Sequence, residues 1–254
     1  MARVLVTGSS TGLGLMAARL LADEGHSVIV HGRDSKRADD ALKAVPEAVA
    51  VVGDLASIAE TKALAEAVNR LGPLDAVIHN AAVGYQEPRS ETADRLPRVF
   101  AVNTLAPYIL TALIQRPKRL VYMSSGMHRG ASDDLSDLLW RKRPWQGSVA
   151  YAESKLHDVL LAFGFACRWP NVLANAVDPG WVATRMGGPN APDDLDQGHR
   201  TQVWLAVSND PAARVSGRYF FHMRTRPTHP NVDDVDLQER LIEACAAISG
   251  VSLP

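Results

Sequence analysis

The sequence predicts one α/β domain, a mostly parallel seven-stranded sheet doubly wound by helices on both faces. Three observations lead there. Short apolar runs alternate along the chain with segments of helical length and period. A glycine-spaced turn follows the first run and opens a helix. The 254 residues carry no linker-like stretch that would divide them into two domains.

The elements follow in order. Arg3 to Val6 is an apolar strand that enters Thr7-Gly8-Ser9-Ser10-Thr11-Gly12-Leu13-Gly14, and a helix runs from Gly12 to about Glu24, stopped by Gly25. Glycine lets the backbone turn tightly there, and the free N–H groups and positive dipole end of the helix face negative charge. With the strand Ser27 to Gly32 behind it, the turn reads as the pyrophosphate site of a Rossmann-type dinucleotide fold. Gly32 takes the place of the acid that would bond the adenosine ribose, and Arg33 offers a planar fork to a 2′-phosphate, with Lys36 and Arg37 close behind. The expected cofactor is NADP(H); the alternative is that Asp34 supplies the acid. Asp34 or Ser35 is expected to cap the next helix.

Ala48 to Gly53 is the third strand, closed by Asp54-Leu55, which are placed at the adenine. Ser57-Ile58-Ala59-Glu60 has capping-box spacing and opens a helix to about Leu71, stopped by Gly72-Pro73. Leu74 to Ile78 is the fourth strand, followed by His79-Asn80-Ala81-Ala82. In the helix through Val99, Val102 and Leu105, Pro107 removes a backbone donor, so a break is expected near Asn103. Arg119 to Ser125 is the fifth strand, and a polar connection runs from about Arg129 to Gly147. Leu156, Val159, Leu160 and Phe163 then recur at helical spacing, which puts Tyr151 and Lys155 one turn apart on one face. Val172 to Val177 is the sixth strand, ending in Asp178-Pro179-Gly180, and Arg218 to Phe221 is the seventh.

Composition narrows the function. A formal charge of −1 with acids and bases interspersed speaks against a nucleic-acid or membrane surface and leaves small-molecule chemistry. Cys167 and Cys245 lack metal-ligand spacing and are not expected to pair, and the eight histidines form no ligand cluster, so no metal site is expected. No apolar run has the length of a membrane span and the first strand begins at Arg3, so a cytoplasmic location is expected.

Thr7-Gly8 with Gly12-x-Gly14, Asn80-Ala81, Asn103, Ser125, Tyr151-x-x-x-Lys155 and Pro179-Gly180 with Thr184 resemble, in this order, the short-chain dehydrogenase/reductase family over nearly the whole chain. The Ser124-to-His128 run and the Ser216-to-Phe220 ending most resemble its retinol dehydrogenase branch. The resemblance implies hydride transfer between NADP(H) and a carbonyl or alcohol. It makes Tyr151 the general acid/base, with Ser125 on the substrate oxygen and Ser124 the alternative, and Asn103 holding a relay water. Lys155 would favour the phenolate, since a free phenol titrates at about 10 and each unit of lowering needs about 1.4 kcal/mol. Cofactor contacts are implied for Thr7, Gly8, Ser10, Thr11, Gly12, Leu13, Gly14, Arg33, Asp54, Leu55, Asn80, Ala81, Ala82, Pro179, Gly180, Val182 and Thr184, besides Tyr151 and Lys155.

His79-Asn80-Ala81-Ala82 stands where Asn-Asn-Ala-Gly is usual, and the Leu113-to-Arg119 connection is short. A homodimer or homotetramer is expected. The rival function is a non-enzymatic NADP(H)-binding redox sensor or scaffold, which would need only the cofactor end. Met127, His128, Trp181 and Met186, with no Arg or Lys cluster among them, predict a bulky, largely apolar substrate. It would lie under a mobile lid from about Ala183 to His199, hinged at Gly187-Gly188.

Overall fold

The computed structural model describes residues 1–86 and 88–253. Eight strands form one sheet: β1 (Arg3–Val6), β2 (Ser27–Gly32), β3 (Val49–Val52), β4 (Ala76–His79), β5 (Arg119–Met123), β6 (Leu173–Asp178), β7 (Arg218–Phe221) and β8 (Arg224–Thr225). Their order is β3-β2-β1-β4-β5-β6-β7-β8. The first seven are parallel. Leu5 of β1 sits between Ile29 of β2 and Val77 of β4, so the winding reverses at β1 and opens a crevice beyond the carboxyl ends of the strands.

The expected count of seven strands is short by one. β8 pairs antiparallel with β7 through Phe220 with Thr225 and Phe221 with Arg224. It is reached through His222 and Met223, both left-handed at φ 48° and 60°. Tight hairpins favour that backbone, but sequences usually signal it with Asn-Gly or Asp-Gly. His-Met gives no such signal, and a two-residue strand has no period to read.

Both faces of the sheet are covered, as the apolar strands require. Leu5, Val77, Leu120 and Tyr122 pack under α3 (Ile58–Arg70), α5 (Ala106–Leu113), α6 (Gly147–Arg168) and α8 (Val235–Ser249). Val4, Val6, Ile78 and Val121 face α1 (Gly12–Asp23), α2 (Ser35–Ala44) and α7 (Leu195–Val207). The helix starts follow the side-chain chemistry. Asp34 caps α2, accepting from the Arg37 N–H at 2.8 Å, and Ser57 caps α3, accepting from the Glu60 N–H at 3.3 Å. The reciprocal half of the expected capping box is absent, because the Glu60 carboxylate instead accepts from the Asp54 N–H at 2.8 Å.

The break expected near Asn103 is a π-turn, Ala101–Leu105, between α4 (Arg98–Phe100) and α5. Only five residues then separate Leu113 from Arg119. The central helix α6 is buried on every side from Ala150 to Phe165, charged residues included. Buried charges need partners, and each here has one. Glu153 takes two 2.6 Å bonds from Arg143, whose guanidinium also stacks 3.7 Å from the Trp140 ring. That contact fixes the expected Arg129-to-Gly147 connection against the domain.

Candidate active site

The glycine turn is built for a close-lying group. Gly8 and Gly12 have φ of 63° and 59°, and a Cβ on Gly8 would come within 2.9 Å of Ala81. Thr11, the residue before α1, makes no side-chain cap bond, so the first N–H groups of the helix stay open toward the turn where Ser10, Thr11 and Gly12 lie. Those features fit a pyrophosphate. Thr7 and Asn80 hold the turn in place. The Thr7 hydroxyl accepts from the N–H groups of Asn80 and Ala81 at 2.9 and 3.0 Å, while the Asn80 amide donates to the Thr7 and Gly8 carbonyls at 2.9 and 3.3 Å. Leu13 points into the neighbouring cavity.

A residue that the sequence reading passed over completes this end. His31, buried inside β2, accepts from the Gly8 N–H at Nδ1 (2.9 Å), and its Nε2 lies 2.8 Å from the Gly53 carbonyl, so the proton sits on Nε2. Burial holds its pKa below the usual histidine range, which keeps Nδ1 free to accept. One signal was there: a histidine amid an otherwise apolar strand. Beyond it, Arg33 is more than half exposed, with Asp34 3.5 Å away, and the Asp34 carboxylate is engaged as the α2 cap. Gly32 serves packing rather than leaving room for a phosphate, since a Cβ there would strike the Ala38 N at 2.4 Å. Asp54 turns back to accept from the Ala56 N–H at 2.9 Å, and Leu55 is buried beside it.

At the other end, β5 and α6 bring the predicted catalytic residues together. Ser124 and Ser125 point to opposite sides. Buried Ser124 donates to the Lys155 carbonyl at 2.7 Å and ties strand to helix, whereas the Ser125 hydroxyl accepts from the Met127 N–H at 3.3 Å and shares the cavity wall with Tyr151. The imidazole Nδ1 of His128, 2.7 Å from the Ser125 carbonyl, braces that residue from behind. Lys155 is 2 % exposed. Its ammonium lies 5.6 Å from the Tyr151 ring centre and donates at 2.7 Å to both the Met123 carbonyl and Asp158 Oδ2. Tyr151 stands above the ordinary phenol value: burial raises it most, Lys155 and the Ser125 hydroxyl lower it, and Asp158 and Asp178 raise it. The lowering expected from Lys155 is thus outweighed.

Asn103 sits in the π-turn, but its side chain is fully committed. Its Oδ1 accepts from the Val83 N–H at 2.8 Å, and its amide donates to the Val83 carbonyl at 3.1 Å and to Ser154 Oγ at 3.0 Å.

A cavity of about 800 Å³ opens over Ser125 and Tyr151. Its outer wall is apolar, with Trp181 56 % and Met186 38 % exposed, and the Met186 sulfur rests 3.9 Å from the Tyr151 hydroxyl. Arg129 and Arg226 line the same cavity with Asp178, which corrects the expectation that no cations gather there. Arg226 comes from the β8 hairpin, the element that the sequence did not show. Asp178 accepts from the Gly180 N–H and the Tyr219 hydroxyl, each at 2.9 Å.

The segment after Pro179 folds on itself rather than hanging as an open loop. The Trp181 N–H donates to Asp193 at 2.6 Å, the indole donates to the Gly187 carbonyl at 2.8 Å, and the Gly187 N–H donates to the Thr184 hydroxyl at 3.2 Å. Val182 is buried and bridges to Asp193. The irregular stretch ends at Asp194, which caps α7; the expected lid boundary at His199 falls inside that helix.

Comparison with known proteins agrees with this geometry. The model of the short chain dehydrogenase family matches residues 2–130. An uncharacterized oxidoreductase of Emericella nidulans, AN7799, is 48% identical over 260 positions, covering 100% of this chain and 99% of that one. Retinol dehydrogenase 13 of Homo sapiens is 29% identical, covering 99% of this chain and 85% of its own. The chain belongs to the short-chain dehydrogenase/reductase family, with retinol dehydrogenases among its relatives. In fold it is similar to a blue fluorescent protein from a metagenomic library, solved in complex with NADPH, at a TM-score of 0.70 and 22% identity over 86% of this chain and 95% of that one. Among the described residues no helix is long and apolar enough to cross a membrane.

Proposed function

We propose that this protein is an NADP(H)-dependent carbonyl reductase or alcohol dehydrogenase acting on a bulky, largely apolar substrate, with Tyr151 as general acid/base. The observation that carries the reading is the meeting of Ser125 and Tyr151 on one cavity, with the buried Lys155 ammonium 5.6 Å from the Tyr151 ring centre and Leu13 joining the cavity to the glycine turn. Ser125 and Tyr151 are placed to hydrogen-bond a substrate oxygen together. In reduction Tyr151 gives its proton to that oxygen while the carbonyl carbon gains a hydride; in oxidation both return. The bound nicotinamide supplies or accepts the hydride. Arg33 takes the 2′-phosphate, because Asp34 is committed to its cap and Gly32 offers no acid to the ribose. The relative solved with NADPH supports the same choice. Trp181, Met186 and Met127 meet the apolar flank of the substrate, leaving Arg129 and Arg226 for a polar end.

The test is oxidation of NADPH against a panel of aldehydes and ketones, with NADH in parallel. Turnover of medium-chain or aromatic carbonyls with NADPH is expected, and Tyr151→Phe should lower kcat by 100-fold or more while NADPH still binds, since general acid–base catalysis contributes about 10²–10⁴-fold. Substantial turnover by Tyr151→Phe removes Tyr151 from the chemistry. NADPH binding with no turnover of any carbonyl would favour the non-enzymatic sensor.

A further inference from the structure

Resting on that reading of Tyr151, we propose that Asp158 is a positioning residue for proton transfer: it fastens the Lys155 ammonium to the Met123 carbonyl and offsets its charge, so that Tyr151 is kept as the phenol, the form that donates a proton to a carbonyl. The geometry is direct. Asp158 lies one turn beyond Lys155 on α6, both side chains are 3 % exposed or less, and Oδ2 is 2.7 Å from Nζ. A lysine that acted on Tyr151 alone would bring the phenol a full positive charge at low dielectric. Here a carboxylate with no route to solvent shares the ammonium and cancels that charge at short range.

The surroundings of the pair are otherwise quiet. From β5, Tyr122 faces Asp158 with its hydroxyl bonded to Thr111 at 2.7 Å, and Thr111 in turn lies 3.0 Å from His79 Nε2. Burial keeps Tyr122 a phenol and holds His79 down at about 3, so both are neutral where Tyr151 titrates. Around Tyr151 stand Ser125 from the end of β5, Asp178 from β6, Tyr219 from β7, Met186 from the lid, and Tyr85, whose ring centre is 6.1 Å away. Lys155 is the buried cation set against the phenol, with Arg129 and Arg226 on the wall of the same cavity; Asp158 and Asp178 are the anions. Burial pushes the Asp158 carboxyl up to about 7 against the pull of Lys155, so it is ionised through the range in which a tyrosine titrates.

The experiment follows tyrosinate absorbance near 295 nm in the full-length protein, taking the difference from Tyr151→Phe to isolate one residue. The wild-type midpoint for Tyr151 is expected above about 10, the free phenol value. In Asp158→Asn, an isosteric change, it should fall by about one unit or more as the offsetting charge goes. The pH profiles should move with it, the alkaline limb of carbonyl reduction and the acid limb of alcohol oxidation each shifting down by the same amount. A midpoint that does not move in Asp158→Asn, or a variant whose stability and activity fall while both pH profiles stay in place, overturns the proposal. Should Asp158→Asn fail to fold, a wild-type midpoint below about 10 still overturns it, and one above about 10 supports it. Turnover surviving in Tyr151→Phe would instead count against the catalytic reading, while the absorbance would still report whether Asp158 controls this phenol.

Discussion

Individual side chains divide into those whose role shows in the sequence and those that only the folded neighbourhood reveals. Tyr151, Lys155 and Ser125 belong to the first kind, because helical spacing and the strand end put them in register before any coordinates exist. Asp158 and His31 belong to the second. An acid three residues after a lysine on a helix is ordinarily a solvated pair, and only the burial of α6 on all sides gives it weight. Asn103 shows the limit from the other side. A break at its position was legible, but the bonds of its side chain to Val83 and Ser154 were not. Arg33 carries the prediction at this scale. A charged hydrogen bond is worth about 1.5–3 kcal/mol, so Arg33→Ala should weaken NADPH binding by one to two decades and leave NADH binding nearly unchanged, as read by fluorescence titration of both cofactors.

Among the elements, those with several turns or strand residues announce themselves, and those built from two or three residues do not. β1 and β4 are buried almost end to end because each is packed from both faces, and a continuous apolar run of strand length is itself a signal. β8 and the self-bonded Trp181-to-Asp194 segment rest on particular backbone angles and single hydrogen bonds, which leave no period behind. The Arg129-to-Gly147 connection is the same kind of object, a polar stretch tied down by Arg143, which pairs with Glu153 and Asp137 and stacks on Trp140. With Glu153 6 % and Arg143 31 % exposed at the side chain, removing the acid leaves a partly buried cation, a cost of ~1–3 kcal/mol. Glu153→Ala should accordingly lower the urea midpoint and open the connection to trypsin at Arg141 and Lys142, while Lys142→Ala, at an exposed position, should leave stability unchanged.

Across the whole molecule, buried histidines set the acid limit. His79 and His157 are held down at about 3 by burial, whereas in the unfolded chain they titrate near 6.5. The unfolded state therefore binds more protons as pH falls below 6.5, and stability drops by about 1.4 kcal/mol per unit for each histidine, or about 2 kcal/mol each by pH 5. Asp158 titrates in the opposite sense and offsets part of this, while His31, His128 and His199 add to the loss. The thermal midpoint should decline from pH 7 to pH 5; a flat profile would contradict the burial of these rings.

The histidine in β2 gives that decline an order of events. Its imidazole is a clasp between the loop that receives the pyrophosphate and the strand end beside the adenosine, and the clasp holds only while Nδ1 carries a lone pair. Protonation would turn that acceptor into a second donor aimed at the Gly8 N–H and loosen the glycine turn from β2 and the end of β3. In a pH series NADPH affinity should fade before the thermal transition is lost, and the protein would release its nucleotide as an early warning of acid rather than as a casualty of unfolding.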